Sequence, residues 1–255
     1  MRQPERQPLN VLAVGATGSI GTHVVDEALS AGHQVRALVR SPGKLNLRPG
    51  LEIAVADLTQ PASLAAAVEG IDAIVFTHGT YGGPRDAELV DYGGVRNVLA
   101  ALGGMEVRIA LMTAIAVTDR KGAHDWKRRG ERLVRISGNP YTIVRPGWFD
   151  YNVADQFRLT FLQGDKRQSG TPRDGVIARR QIARVLVRSL TSEAALRKTF
   201  EVIAETGLEQ ADFDPLFAAL DADPAGSLDA AHDTANMAVE KEPPSVIRDL
   251  KDLEV

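Results

Sequence analysis

The 255-residue sequence has no cysteine. That absence excludes disulfides, thiolate nucleophiles and any Cys-ligated zinc or iron–sulfur centre. Its five histidines show neither HExxH nor HxH spacing, so no catalytic metal is expected. Aromatic residues make up 5% of the chain and the formal net charge is −3, which argues against a stacking platform for nucleic acid. No run approaches the roughly 20 apolar residues that span a bilayer, and the opening MRQPERQPLN lacks the apolar core of a signal peptide. A soluble cytoplasmic protein with no membrane partner is the expectation. GxSxG and the P-loop GxxxxGK[ST] are also missing, which removes hydrolase and kinase readings.

The residues that are present suit one large α/β domain with an appendage, since 44% of them are apolar. Charge is unevenly spread. Residues 1–204 carry 27 Lys and Arg against 20 Asp and Glu, whereas residues 205–255 carry 3 against 13. A basic body with an acidic tail results, and the body suits a phosphorylated small molecule. The tail is expected to drape over the body, limiting access to the cleft, or to remain partly disordered.

Six short β-rich runs, LNVLAV, QVRALV, LEIAVA, DAIVFT, VRIALM and YTIVRP, alternate with segments of helical periodicity. Several of the helical segments end on glycine, at Gly32, Gly70, Gly103 and Gly138, where a left-handed cap is wanted. This alternation predicts βαβ units and a doubly wound parallel sheet of Rossmann type. Residues 1–150 are assigned to the dinucleotide-binding domain and 151–204 to a small subdomain packed on its substrate side. The subdomain includes a helix at 178–190 and a strand at 198–205. Residues 205–255 form the acidic extension.

Between the first strand and first helix lies VGATGSIG, with Gly15, Gly18 and Gly21 three apart. Glycine there permits a tight turn, close backbone approach to a pyrophosphate, and close packing of helix on strand. Helix-start N–H groups around Ser19 and Ile20 face the anion, and Thr17 and Ser19 add hydroxyls. Strand two ends in Arg40 and Ser41, with no acid before Glu52. An arginine at this place suits a ribose 2′-phosphate and an acid would suit the free 2′-hydroxyl, so NADP(H) is expected over NAD(H). Arg36 and Lys44 are further candidates for that phosphate.

Taken together, AVGATGSIG, ALVRSP, VADLTQPASLAAAVEGIDAIVF and YTIVRPG resemble the short-chain dehydrogenase/reductase superfamily, in its atypical NmrA-like NAD(P)H-binding branch, over residues 8–204. The resemblance implies an oxidoreductase acting on a small-molecule acceptor. It places Asp57 and Leu58 at the adenine, Thr77, His78 and Gly79 along the cofactor, and Pro146 and Gly147 near the nicotinamide. Thr113 matches the superfamily's active-site hydroxyl and Lys127 its ribose-holding lysine. Four residues before that lysine, where a proton-donating tyrosine belongs, stands Ala123. Three explanations remain open: a substitute donor (His124, Tyr81 or Tyr151), an acceptor such as a quinone or flavin that needs no protein acid, or a non-catalytic cofactor sensor. Trp148, Phe149, Tyr151 and Phe157 are candidate walls for a flat acceptor. The assembly is expected to be a monomer or a homodimer, the latter through the helix DAELVDYGGVRNVLAALGG.

Overall fold

All of Val11–Val14 in the first strand, β1 (Asn10–Val14), is buried, and its side chains alternate between two cores. Val11 and Ala13 face one core while Leu12 and Val14 face the other, as a parallel strand covered on both sides requires. The computed structural model describes residues 7–254, apart from the Lys44 side chain.

Around β1 run β2 (Gln34–Val39), β3 (Leu51–Val55), β4 (Ala73–Phe76), β5 (Arg108–Met112) and β6 (Tyr141–Pro146). Three short strands, β7 (Trp148–Phe149), β8 (Arg158–Leu162) and β9 (Val176–Ile177), precede β10 (Lys198–Glu205). The order β3-β2-β1-β4-β5-β6-β10 is parallel throughout, so the strand that sequence places in the small subdomain continues the main sheet beside β6. Strands β8 and β9 join β10 antiparallel, and β7 pairs with β9. A doubly wound Rossmann-type α/β fold is therefore present. Gly32, Gly70, Gly103 and Gly138 all have the left-handed backbone read from their positions.

Helices α1 (Gly21–Ser30) and α6 (Arg179–Ser189) cover one face. The short α2 (Ala65–Val68) covers the other together with a π-helical turn (Ala87–Tyr92), which the exposed α3 (Pro84–Asp86) leads into, α4 (Gly93–Leu102) and α5 (Ala123–Ile136). No helix among the described residues is long and apolar enough to cross a membrane.

The acidic extension is ordered against the body. It contributes α7 (Asp214–Ala218), whose Phe217 is fully buried with Phe200, and α8 (Pro244–Leu253), whose Val246 and Leu250 enter the core beneath α4 and α5. Between these helices its carboxylates meet the arginines of α5. Asp229 takes Arg132 at 2.8 Å and Arg128 at 3.1 Å, Glu242 takes Arg129 at 2.6 Å, and Asp223 takes Arg135 at 3.2 Å. Arg128 and Arg132 are buried beneath these carboxylates. Asp249 on α8 accepts from Tyr92 Oη at 2.8 Å, so the chain's own end packs against part of the helix that sequence offers to a second copy.

Arg145 on β6 ties these layers together, bonding Glu131 of α5 at 2.7 Å and Asp233 of the extension at 2.8 Å with no solvent exposure. Removing one member of a buried pair strands the other charge, a loss of about 3–5 kcal/mol. Arg145→Ala is expected to lower the urea-unfolding free energy by that amount. Truncation after Glu205 is expected to abolish cooperative thermal unfolding, because it uncovers the α5 arginines and the apolar seat of α8.

Candidate functional site

Between β1 and β4 the strand order reverses, opening a crevice at the carboxyl ends of the strands. The glycine turn sits at that point. Gly15 has φ +88°, and a Cβ on it would lie 2.6 Å from the His78 amide nitrogen. A Cβ on Gly21 would collide with the Gly15 carbonyl. The turn is closed by Gly18 N–H donating to Gly15 O at 2.9 Å, while the N–H groups of Ser19 and Ile20 have no partner among the described residues. Thr17, Gly18 and Ser19 are exposed, and Ile20 is buried beneath them. Open donors at a helix start, with no side chain filling the concavity, fit a phosphate group.

At one end of the crevice, Arg40 and Ser41 leave β2 exposed to solvent. Asp57, after β3, accepts from Thr59 N–H at 2.9 Å and Thr59 Oγ1 at 2.8 Å. Those bonds, helped by the nearby Arg40 guanidinium, hold its carboxyl below the usual range. Leu58 lies half-buried beside it, its carbonyl taking Asn97 Nδ2 at 2.6 Å. Arg36 is not among the candidates brought together here. Its guanidinium bonds Glu52 and the carbonyls of Ala67 and Glu69, so it is committed elsewhere.

At the other end, Thr77 Oγ1 donates to Val14 O at 3.1 Å and pins the ends of β1 and β4 together. His78 follows with both ring nitrogens buried and, among the described residues, without hydrogen-bond partners, its ring against Phe76 and the bare Cα of Gly94. Burial pushes its pKa down to about 4, against the pull of Asp91, so the ring is neutral at neutral pH. Beside Gly79, the Lys127 ammonium is ion-paired with Asp91, whose second oxygen is buried and has no partner among the described residues. Asp91 belongs to the π-helical turn. Such a turn shifts side chains off the α-helical register and is frequent at functional sites.

The remaining sequence candidates occupy firmer surroundings. Thr113 is buried and donates its hydroxyl to Glu131 Oε1 at 2.7 Å. His124 Nδ1 lies 2.9 Å from Ala116 O and 3.1 Å from Asp119, so this ring braces the loop after β5. Pro146 accepts from Ile115 N–H at 3.0 Å, and Gly147 is crossed so closely by Gly175 that a Cβ would lie 2.6 Å from its carbonyl oxygen. Tyr81 is fully exposed, Tyr151 is 61% exposed, and Phe157 is exposed at the rim. Near Tyr151 a cavity of about 500 Å³ is lined by Arg167, Arg173, Val176 and Ile203.

A family of NAD(P)H-binding proteins, by its sequence model, matches residues 15–193, most of the chain. The chain belongs to the NAD(P)H-binding family. It falls in an atypical short-chain dehydrogenase/reductase-like branch. Sanguinarine reductase of Eschscholzia californica is 29% identical over 80% of this chain and 92% of its own length. Among solved structures, the oxidoreductase ylbE from Lactococcus lactis superposes with a TM-score of 0.68 at 16% identity, covering 83% of this chain and 96% of that one. The NADPH-dependent quinone oxidoreductase of Escherichia coli, solved with NADPH, gives 0.58 at 22% identity over 78% of this chain and 71% of the other. These two structural likenesses establish the shared fold.

In this NAD(P)H-binding protein, sequence reading missed three residues beside the crevice. Asp91 is hidden because the π turn breaks the helical spacing, with only the Gly93–Gly94 pair to hint at it. Asp165, 1% exposed, accepts from Ala116 N–H at 2.6 Å and Thr118 N–H at 2.7 Å, fixing the loop after β5. Arg179 reaches the glycine turn from 160 residues away, its Nε donating to Ser19 Oγ at 3.1 Å. No local pattern carries such a distant contact.

Glu201 supports Asp165 by accepting its N–H at 3.1 Å. Burial pushes the Glu201 carboxyl up to about 8, although Arg145 opposes the shift. An unfolded glutamate loses its proton near 4.5, so the folded state binds more protons between there and 8, and stability falls as pH rises through that window. His78 acts on the acid side. Its unfolded form takes up a proton below 6.5 while the folded form waits until about 4, so stability falls as pH drops through that interval. Glu201→Gln is expected to flatten the alkaline limb only. Urea unfolding at about pH 5.5 and about pH 8.5 checks this, and an unchanged alkaline slope in the variant refutes it.

Proposed function

We propose that this protein is an NADP(H)-dependent oxidoreductase that reduces a small, flat quinone-, flavin- or carbonyl-type acceptor. The observation that carries the reading is the open glycine turn at the strand switch point, with Arg40 exposed at the end of the neighbouring strand. The turn's amides hold the pyrophosphate, and Arg40 with Ser41 grips the 2′-phosphate, leaving Asp57 and Leu58 at the adenine edge. Thr77, His78 and Gly79 border the nicotinamide half, and Pro146 and Gly147 close it from β6. The bound cofactor supplies the hydride.

The chain's own contribution at this end is positional. Asp91 fixes the Lys127 ammonium beside Gly79, where it holds ribose hydroxyls and carries a proton at Nζ. Thr113 acts through Glu131 on the helix that bears Lys127. Neutral His78 excludes water without adding charge. Residues 151–204 shape the acceptor side, and the cavity beside Tyr151, with Arg167 and Arg173, receives the acceptor. Support for reduction comes from two relatives, sanguinarine reductase and a quinone oxidoreductase.

A second reading is a non-catalytic NADP(H)-binding redox sensor. It is favoured by Ala123 at the tyrosine position, by the engagement of the Thr113 hydroxyl with Glu131, and by the exposure of Tyr81. Following NADPH absorbance with a panel of quinones, flavins and carbonyls separates the two. Turnover lost in Lys127→Ala supports the enzyme, whereas tight NADPH binding with no oxidation across the panel supports the sensor.

Loss of a charged hydrogen bond is worth about 1.5–3 kcal/mol, roughly ten- to a hundredfold in affinity. Arg40→Ala is expected to weaken NADPH binding by that factor while leaving NADH within about twofold, as measured by calorimetry. Equal losses for both cofactors remove the NADP(H) preference.

A further inference from the structure

We infer that Arg179, the first residue of α6, is the cationic wall of the phosphate cradle and grips the pyrophosphate from the side opposite the glycine turn. This rests on the cofactor reading above and assigns the diphosphate a residue of its own. Three observations converge on it. The Arg179 Nε donates to Ser19 Oγ at 3.1 Å, which puts the guanidinium beside the unpartnered N–H groups of Ser19 and Ile20. Its Nη1 is ion-paired with Asp150, and its backbone N–H donates to the other Asp150 oxygen at 3.0 Å, so both ends of the residue are held by one carboxylate. The guanidinium also lies over the Phe149 ring at 5.4 Å, and its Nη2 has no hydrogen-bond partner among the described residues.

The chemistry follows from that geometry. A guanidinium offers five N–H donors in a planar fork that matches phosphate oxygens, and this one has a donor to spare at the rim of the turn. Helix-end amides supply only partial positive charge, about half a unit, against a diphosphate bearing two negative charges. A full cation at hydrogen-bond distance from the turn's own serine supplies the deficit. Without it, the Asp150 carboxylate would repel the incoming anion. Asp150 therefore positions Arg179 and is masked by it.

Arg40 and Arg179 then divide recognition, the first reading the 2′-phosphate and the second the diphosphate common to every dinucleotide. Calorimetric titration of NADPH, NADH, ADP and adenosine 2′-monophosphate distinguishes these roles. Arg179→Ala is expected to weaken NADPH, NADH and ADP each by about tenfold or more, to reduce the salt dependence of binding, and to leave adenosine 2′-monophosphate unchanged. Arg179→Lys, which keeps the charge and loses the fork, is expected to bind the diphosphates more weakly than wild type and more tightly than Arg179→Gln, which behaves like alanine. The Lys and Gln pair reads charge alone if the alanine variant fails to fold. Folded Arg179 variants that bind ADP as wild type does, or equal affinities for Lys and Gln, overturn the assignment while leaving the cofactor reading intact. Wild-type protein that binds none of the four probes overturns the cofactor reading itself.

Discussion

The buried pairing of Arg145 with Glu131 is the constraint on which the remaining geometry depends. Both side chains are without solvent exposure, and two guanidinium–carboxylate contacts, at 2.7 and 3.0 Å, join β6 to α5. Burial by itself raises a carboxyl pKa, yet the guanidiniums of Arg145 and Arg135 overcome it and hold Glu131 at about 2. The same burial acts against Arg145, and Glu131 and Asp233 raise its pKa well above the ordinary value. A pair this desolvated persists only when its remaining donors and acceptors are satisfied. Thr113, Arg135 and Asp233 satisfy them, bringing in β5, the next turn of α5 and the acidic extension. Lys127 lies one helical turn before Glu131, so its position beside Gly79 is a consequence of that anchoring.

The parallel sheet was legible because its signals are local. Apolar runs of strand length, helical periodicity between them and glycines at helix ends each occupy a few consecutive residues, and Gly32, Gly70, Gly103 and Gly138 adopt the backbone their positions demand. The glycine turn was legible for the same reason. Strands β7 and β9 were not, because a two-residue strand has no periodicity. The segment PASLAAAVEG has helical periodicity but forms only a 3₁₀ turn and the four residues of α2, since Pro61 and Gly70 bracket too little chain for more.

The candidate site was legible in its backbone half and obscure in its side-chain half. Acids and bases on α5 and in the extension give no local sign of burial, since the apolar residues Trp126, Leu133 and Val134 orient only one face of α5. Their burial is decided by partners about a hundred residues away: Arg128 with Asn236 and Asp229, and Arg132 with Asp229. Asp91 was obscured by a backbone irregularity, and Arg179 by separation in sequence. In each case the information lies in a pairing, and a single sequence records residues without recording which of them meet.

The extension unites the charge asymmetry with the assembly. A body carrying excess arginine and a tail carrying excess acid could neutralise each other as a diffuse field, but here the match is made contact by contact along α5. Apolar residues of α8 complete the cover, with Val246 and Leu250 beneath Arg96 and Tyr92, both of which engage Asp249. Arginine suits such a seam because its fork serves two acids at once, as Arg132 does for Asp229 and Glu242. Lysine at those positions would leave one acid unpaired in a buried environment. Arg40 and Arg179 lie outside the seam, and among the described residues neither has a tail carboxylate as an ion-pair partner.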